Sequence, residues 1–410
     1  MIDIRELRAR PDVYREAAKS KGIGEQSIED TLKLDAQRHA LLLSAEQLRG
    51  ELNVKGKPTP AELKKLQDVK AKSVKLEARL SKLEADLQDA ISRVPNLLAE
   101  GTPEGGEEHN REEKTWGEHP KFDFEPKDHV ELAESQGWLD FERGAKVAGS
   151  KFYYLFGPLV KLETAVTQFI FEMLEQDGFV PAIVPNMVTS RVAAGSGYLP
   201  RGEERQIYKI EGEDLNLVAT AEMALTGLYA DEILEQADLP KLFIGTSPAY
   251  RMEAGAYGKY SKGLYRVHQF NKLEMYVFCL PTESAAWHEK LVAIEEKICQ
   301  ALELPYRLVR IAAGDMGAPA YKKYDVEYWS PIENEYRELM SCSDVTDYQA
   351  RRLNIRYRDD AGKAQFVHTL NGTAAAFSRL PIALLENHQQ ADGRIKVPRA
   401  LVKYYGGEFL

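Results

Sequence analysis

The sequence predicts an α+β chain: an N-terminal antiparallel helical coiled-coil arm, then a mixed domain with a mostly antiparallel sheet flanked by helices. Three observations lead there. A heptad seam runs through residues 66–94. A stretch dominated by Gly, Pro and Glu follows at 99–127. Beyond it, short strand-like runs alternate with helical ones and long loops, with few βαβ repeats. At 410 residues the chain also exceeds what one hydrophobic core usually spans.

Residues 1–20 read as one amphipathic helix. A second helix begins at Leu32, where Leu34, Leu41 and Leu48 recur every seven residues beside Ala45 and Leu52. The chain breaks at Lys55-Gly56-Lys57-Pro58-Thr59-Pro60, because proline cannot continue a helix interior. Thr59-Pro60-Ala61-Glu62 reads as a fresh start with proline in the first turn. Leu66, Val69, Ser73, Leu76, Leu80, Leu83, Leu87, Ala90 or Ile91, and Val94 then alternate in steps of three and four until Pro95. Glu62 to Val94 is about 50 Å of helix. A polar helix that long, after another helix and a tight break, should fold back as a hairpin with its tip near Gly56. The expected organisation is an arm at 1–98, a linker at 99–127 and a second domain at 128–410.

Charge along the arm is uneven. Between residues 55 and 82, Lys55, Lys57, Lys64, Lys65, Lys70, Lys72, Lys75, Arg79 and Lys82 face three acids, Glu62, Asp68 and Glu77. The chain as a whole carries −10, so any polyanion site must be local. Spacing alone does not choose between a solvated coiled-coil surface and a phosphate-contacting one. No run of 18 apolar residues exists, which excludes a membrane-spanning helix. The opening MIDIRELRARPDVYREAAKSKG lacks the apolar core of a secretory signal. Cys279, Cys299 and Cys342 are odd in number and lack ligand spacing, so neither a disulfide framework nor zinc is expected, and a reducing cytoplasm is.

In the second domain, residues 158–176 read as a helix with Leu159, Leu162, Val166, Ile170 and Met173 on one face. Residues 179–185 follow as a short strand interrupted by prolines, and 215–219, 242–245, 273–278, 307–311 and 365–370 as further strands. The densest cluster of chemistry lies between them. A strand-like FIGTSPAY enters Arg251-Met252-Glu253, a loop with three glycines follows, and a second strand carries Arg266, Val267, His268, Phe270 and Glu274. Two guanidinium forks beside a flexible loop suit phosphate oxygens, and Glu253 with Phe270 could recognise and stack on a base. Glu338-Leu339-Met340-Ser341 offers a carboxylate three residues from a hydroxyl, hard oxygens of the kind that hold Mg²⁺. Asn371-Gly372-Thr373 precedes Arg379 at a helix start, where an arginine suits a terminal phosphate. Thr220-Ala221-Glu222 reads by itself as a helix N-terminus. There is no P-loop and no dinucleotide fingerprint.

Taken in order, these pieces resemble the seryl-tRNA synthetases of bacterial type, class II enzymes, along nearly the full chain. The resemblance is carried by Val94-Pro95-Asn96, Gly157-Pro158 through Pro185, Thr220-Ala221-Glu222, Arg251 to Glu253, Arg266–Phe270–Glu274, Ser341-Cys342-Ser343-Asp344, Asn371-Gly372-Thr373, Arg379 and Glu386-Asn387-His388-Gln389. It implies ATP-dependent activation of L-serine and transfer to serine tRNA, with selenocysteine tRNA as a second candidate acceptor, Mg²⁺ accompanying ATP, and a homodimer formed through the segment ending at Pro185. It implies Arg251 on the α-phosphate, Glu253 at the adenine, Phe270 beneath the base and Arg379 on the γ-phosphate. Met252, Val267, Leu339 and Met340 complete the ATP site, and Glu338 and Ser341 meet the metal and ATP. Thr220, Ala221, Glu222, Glu274, Asn371 and Thr373 form the serine site by the same resemblance, with Glu274 on the amino group and Thr373 at the hydroxyl. Lys55, Lys57, Lys64, Lys65, Lys72, Lys75 and Arg79 are the expected tRNA contacts.

The chain departs from the common pattern at Ala256–Ser261, at Ala374–Ser378 and at Asp344, without losing a charged catalytic position. A relative that loads a carrier protein would lack the arm, and a catalytically dead paralogue would have lost arginines or carboxylates; this chain keeps both.

Overall fold

The structure is a computed structural model that describes residues 1–53, 59–198, 207–253 and 262–410. It divides into two compact units, Met1–Leu97 and Leu98–Leu410.

The first unit holds helices α1 (Ile4–Ala9), α2 (Pro11–Ser20), α3 (Gln26–Leu52) and α4 (Pro60–Arg93). The single helix expected over 1–20 is two helices, because Pro11 pushes Arg10 out of the helical region, to φ −138° and ψ 57°. α3 starts six residues before Leu32, which had marked only the onset of its leucine spacing. Arg38 pairs with Glu84 at 3.0 Å and Arg49 with Glu77 at 3.6 Å. As one number rises the other falls, so α3 and α4 are antiparallel. Along the pair, α3 buries Ile28 and Ala45, and α4 buries Val69, Ser73, Leu83, Leu87, Ala90 and Ile91. Each large aliphatic there contributes about 1.5–3 kcal/mol. Lys55 and Lys57 lie outside the described residues. Lys64, Lys65, Lys72, Lys75 and Arg79 are all exposed on α4, and none is ion-paired among the described residues.

The second unit contains strands β1 (Arg111–Trp116), β2 (Leu139–Asp140), β3 (Tyr154–Leu155), β4 (Val180–Ile183), β5 (Met187–Val188), β6 (Asn216–Leu217), β7 (Ile233–Glu235), β8 (Lys241–Tyr250), β9 (Gln269–Cys279), β10 (Tyr306–Arg310), β11 (Lys322–Ser330), β12 (Glu335–Asp344), β13 (Arg356–Arg358), β14 (Ala364–Phe366) and β15 (His368–Ala376). Its helices are α5 (His129–Ser135), α6 (Phe141–Ala148), α7 (Pro158–Gln176), α8 (Ser190–Ser196), α9 (Ala221–Thr226), α10 (Ser284–Ala301), α11 (Tyr348–Leu353), α12 (Leu380–His388) and α13 (Arg399–Tyr405). The main sheet has eight strands in the order β1-β10-β11-β12-β15-β9-β8-β4. Every neighbouring pair is antiparallel except β4 with β8.

Three sequence expectations change here. The stretch read as a linker at 99–127 contains β1, an edge strand paired with β10. All six of its residues are exposed, so no apolar alternation betrays it. The run 335–344, which was not among the expected strands, is β12, joined to β11 as a hairpin. The run 365–370 belongs to two strands divided at Val367, since β14 pairs with β13 while β15 enters the main sheet.

One sheet face is the core. Leu273, Met275 and Val277 of β9, Met340 and Cys342 of β12 and Leu370 of β15 pack with Leu159, Leu162, Val166 and Ile170 of α7 and with Leu291, Ile294 and Ile298 of α10. Side chains alternate across a strand, so their neighbours in sequence point to the opposite face. There Phe270, Lys272, Glu274, Ser341, Ser343, Asn371 and Thr373 come together. Among the described residues, no helix is long and apolar enough to cross a membrane.

Candidate active site

That opposite face forms the floor of a cavity of about 600 Å³. Pairing register decides who meets whom. Thr373 lies opposite Glu274, Ser343 opposite Asn371, and Phe270 opposite Ala249. Twelve sequence-predicted residues line the cavity: Glu222, Arg251, Glu253, Val267, Phe270, Glu274, Glu338, Leu339, Ser341, Asn371, Thr373 and Arg379.

At one end the groups are cationic. Arg251 follows β8 directly, donates from Nε to the Ala219 carbonyl at 3.3 Å, and lies 5.3 Å from the Phe270 ring centroid. Phe270 itself is buried with Ala249, Val267 and Ala376, which fixes the plane of its ring. Glu253 adopts φ 48°, a left-handed conformation that costs a non-glycine residue about 1–2 kcal/mol. It faces Arg266 at 3.6 Å. Arg379, the residue before α12, pairs with Glu338 at 2.7 Å and lies 4.8 Å from the Tyr265 ring. Partial burial opposes ionisation of Glu338, but Arg379, with Lys323 and Arg251, overrides it and holds the carboxyl at about 2. An ionised carboxylate is thus kept among three cations. Lys323 also reaches Asp325 at 3.2 Å.

The other end is a buried polar lattice. Glu222 accepts from the Tyr198 hydroxyl at 2.8 Å, from Gln349 Nε2 at 2.8 Å and from Asn371 Nδ2 at 3.2 Å. Asn371 Nδ2 also donates to Glu274 at 3.2 Å. Lys272 forms an ion pair with Glu274 and donates to Thr220 Oγ1 at 3.5 Å. Burial, then the neighbouring Glu274 carboxylate, push Glu222 up to about 7, against the hydrogen bonds from Tyr198 and Gln349. Gln349 is itself held by Tyr276 at 2.7 Å and Thr369 at 2.8 Å, so the lattice continues into the core. Such a network fixes its members' geometry, since a partner lost in low dielectric is costly.

Four expected residues do not line the cavity. Met340 points to the core face of β12, and Met252 follows Arg251 without reaching the cavity wall. Thr220 is buried as the cap of α9, where its hydroxyl accepts from the Glu222 backbone N–H at 3.3 Å. Ala221 packs in a second core beside Leu225 and Tyr276. The altered loop at 256–261 lies outside the described residues. Conversely, Lys272, Tyr198, Gln349, Tyr265 and Lys323 were not expected. Lys272 could have been found, because it sits two residues from both Phe270 and Glu274 on one strand face. No local signal marks Gln349.

The comparisons with known proteins follow this division. A family model described as the seryl-tRNA synthetase N-terminal domain matches residues 1–98. One described as the tRNA synthetase class II core domain (G, H, P, S and T) matches residues 207–388. The serine–tRNA ligase of Treponema denticola is 46% identical over 418 residues, covering 99% of each chain. That of Rubrobacter xylanophilus is 43% identical over all of this chain and 99% of its own. The crystal structure of seryl-tRNA synthetase from Pyrococcus horikoshii complexed with ATP matches with a TM-score of 0.94 at 39% identity, over 100% of this chain and 99% of that one. The cytoplasmic serine–tRNA ligase from Naegleria fowleri in complex with AMP matches at 0.88 and 28%, over 99% and 96%. With its arm and its core each matched, and with relatives above 40% identity along its whole length, the chain belongs to the seryl-tRNA synthetase family.

Proposed function

We propose that the cavity is the seat of serine activation, with ATP at its cationic end and serine at the Glu222–Asn371–Glu274 lattice. The enzyme uses ATP to activate L-serine and loads it on tRNA. In the first step the serine carboxylate attacks the α-phosphorus, forming seryl-adenylate and releasing pyrophosphate. In the second, the terminal ribose hydroxyl of tRNA attacks the adenylate's carbonyl and AMP leaves. Arg251 neutralises charge on the α-phosphate as the first bond forms, Arg379 takes the γ-phosphate, and Phe270 stacks on the base. No side chain is assigned as a general base: positioning and electrostatics carry the step. Thr373 and its neighbours supply polar partners to the serine hydroxyl. Alanine would leave those groups unpaired, which disfavours it strongly.

The observation that carries this reading is the polarity of one cavity, with Arg251, Arg379 and Lys323 at one end and paired carboxylates at the other. Arg251→Ala tests it. Serine-dependent pyrophosphate exchange should fall by about 10²–10³, as when a transition-state donor is removed. Near-normal exchange would sink the assignment. Glu338, held ionised, and the Ser341 hydroxyl are hard oxygen donors on the cavity wall and fit Mg²⁺ carried in with ATP. When bound, that ion would offset phosphate charge.

The exposed Lys64, Lys65, Lys72, Lys75 and Arg79 are read as contacts to the tRNA backbone. Lys72, Lys75 and Arg79 share a groove with Ser44 and Gln47 of α3. The homodimer is read from an uncovered apolar edge. β4 ends the main sheet, yet its Ile183 is 94% exposed and its Val180 56%. A second copy would cover such an edge. Light scattering should return twice the 46.3 kDa chain mass, and Ile183→Asp should shift it toward one; a monomeric wild type removes the reading.

A further inference from the structure

The segment bearing Tyr265 and Arg266 lines the cationic end of the cavity, but β9 begins only at Gln269. Its position comes from elsewhere. The Leu264 backbone N–H donates to His129 Nε2 at 3.2 Å. His129 Nδ1 lies 2.9 Å from Glu386 Oε1, and the His129 backbone N–H donates to that same oxygen at 3.2 Å. Ser330 Oγ donates to the other Glu386 oxygen at 3.2 Å. His129 and Glu386 are both buried. Because Leu264 can only donate, Nε2 must accept, so Nδ1 carries the proton and gives it to Glu386. One neutral tautomer therefore satisfies every contact. The approach is close: at Gly263, φ +65°, an added Cβ would sit 2.1 Å from His129 Nε2. The same C-terminal run also anchors the stretch that carries His129, since the Gln389 side chain bonds the Lys127 N–H at 2.9 Å and its carbonyl at 3.0 Å.

We propose that His129 is a positioning residue for the ATP end of the cavity, transmitting the fixed position of Glu386 on α12 to the backbone that carries Tyr265 and Arg266. Tyr265 matters there because the Arg379 guanidinium rests over its ring. The proposal rests on the reading that this end binds ATP.

The test uses the full-length protein and serine-dependent pyrophosphate exchange, with KM for ATP and for serine measured separately. The carbonyl of a glutamine reaches the position of Nε2 and can accept from Leu264. That of an asparagine reaches only the position of Nδ1. His129→Asn should therefore raise KM for ATP about tenfold, the effect of one lost hydrogen bond, with KM for serine moving less than about twofold. His129→Gln should stay within about threefold of wild type in both. Asn and Gln variants that behave alike, or two KM values that rise together, would overturn the proposal. Should His129→Asn fail to fold, Gly263→Ala presses on the same contact from the other side and should show the same ATP-only rise; an unchanged KM for ATP overturns it. Arg251→Ala run alongside separates the cases. If that variant keeps its exchange, the reading of the cavity fails; if it is dead while the two His129 variants match, only the role of His129 fails.

Discussion

The arm and the catalytic unit differ in where their information lies. α3 and α4 are local structures, held by one seam whose spacing repeats along the chain. The cavity is non-local: β9, β12 and β15, Glu222 of α9, Arg251 just after β8, and Ser378 and Arg379 just before α12 come together from distant stretches. In the arm, geometry is simple and the proposed functional signal is a surface excess of charge that no single residue owns. In the cavity, Glu222, Glu274, Asn371, Glu338 and Arg379 each have named partners. The difference predicts that arm substitutions act additively and through salt, and that cavity substitutions act individually and through protonation.

The largest expected effect breaks the two halves of the reaction apart. Raising salt from 50 to 200 mM should weaken tRNA charging by about 10²–10³, because the proposed backbone contacts would release counterions, while serine-dependent exchange changes little. Equal salt sensitivity of the two activities would mean that the arm's cations do not hold nucleic acid.

A smaller effect sharpens the cavity side. At the proposed serine site the substrate's ammonium would favour an ionised Glu222, whose carboxyl is pushed up to about 7. Its protonated fraction grows as pH falls, so KM for serine should rise about tenfold between pH 8 and pH 6. In Glu222→Gln the dependence should flatten. A wild-type KM independent of pH would remove Glu222 from the serine site. The same raised value has a stability sign. A carboxyl easier to protonate in the fold than in the unfolded chain contributes stability below the ordinary carboxylate range. That contribution is lost as pH climbs through about 7. Glu338 runs the other way, its contribution being lost as pH falls toward about 2.

How far the molecule was legible follows the same division. The seam from Val69 to Val94 was readable because a heptad is a property of sequence alone. So was α7, bounded by Pro158 and Gln176 as its apolar face required. β1 was not, since an exposed edge strand needs only backbone pairing. β12 was not, because a bulge opposite Val326 and Glu327 disturbs its alternation and its outward face is polar. In the site, charged residues with an obvious job were legible from order and resemblance. The side chains of Met340 and Ala221 turn into the cores and not the cavity, because resemblance names a segment, while the pleat and the helix decide which of its side chains turn inward. Gln349 was invisible: its role exists only once α11 is packed beside Glu222.

The most direct test of two units dividing one reaction measures exchange and charging side by side in two variants. Arg251→Ala should lose both, since no adenylate forms. Lys72→Glu, Lys75→Glu and Arg79→Glu combined should keep exchange within about twofold while charging falls by about 10² or more. Loss of exchange in the arm variant, or charging that survives the triple reversal, would contradict the account.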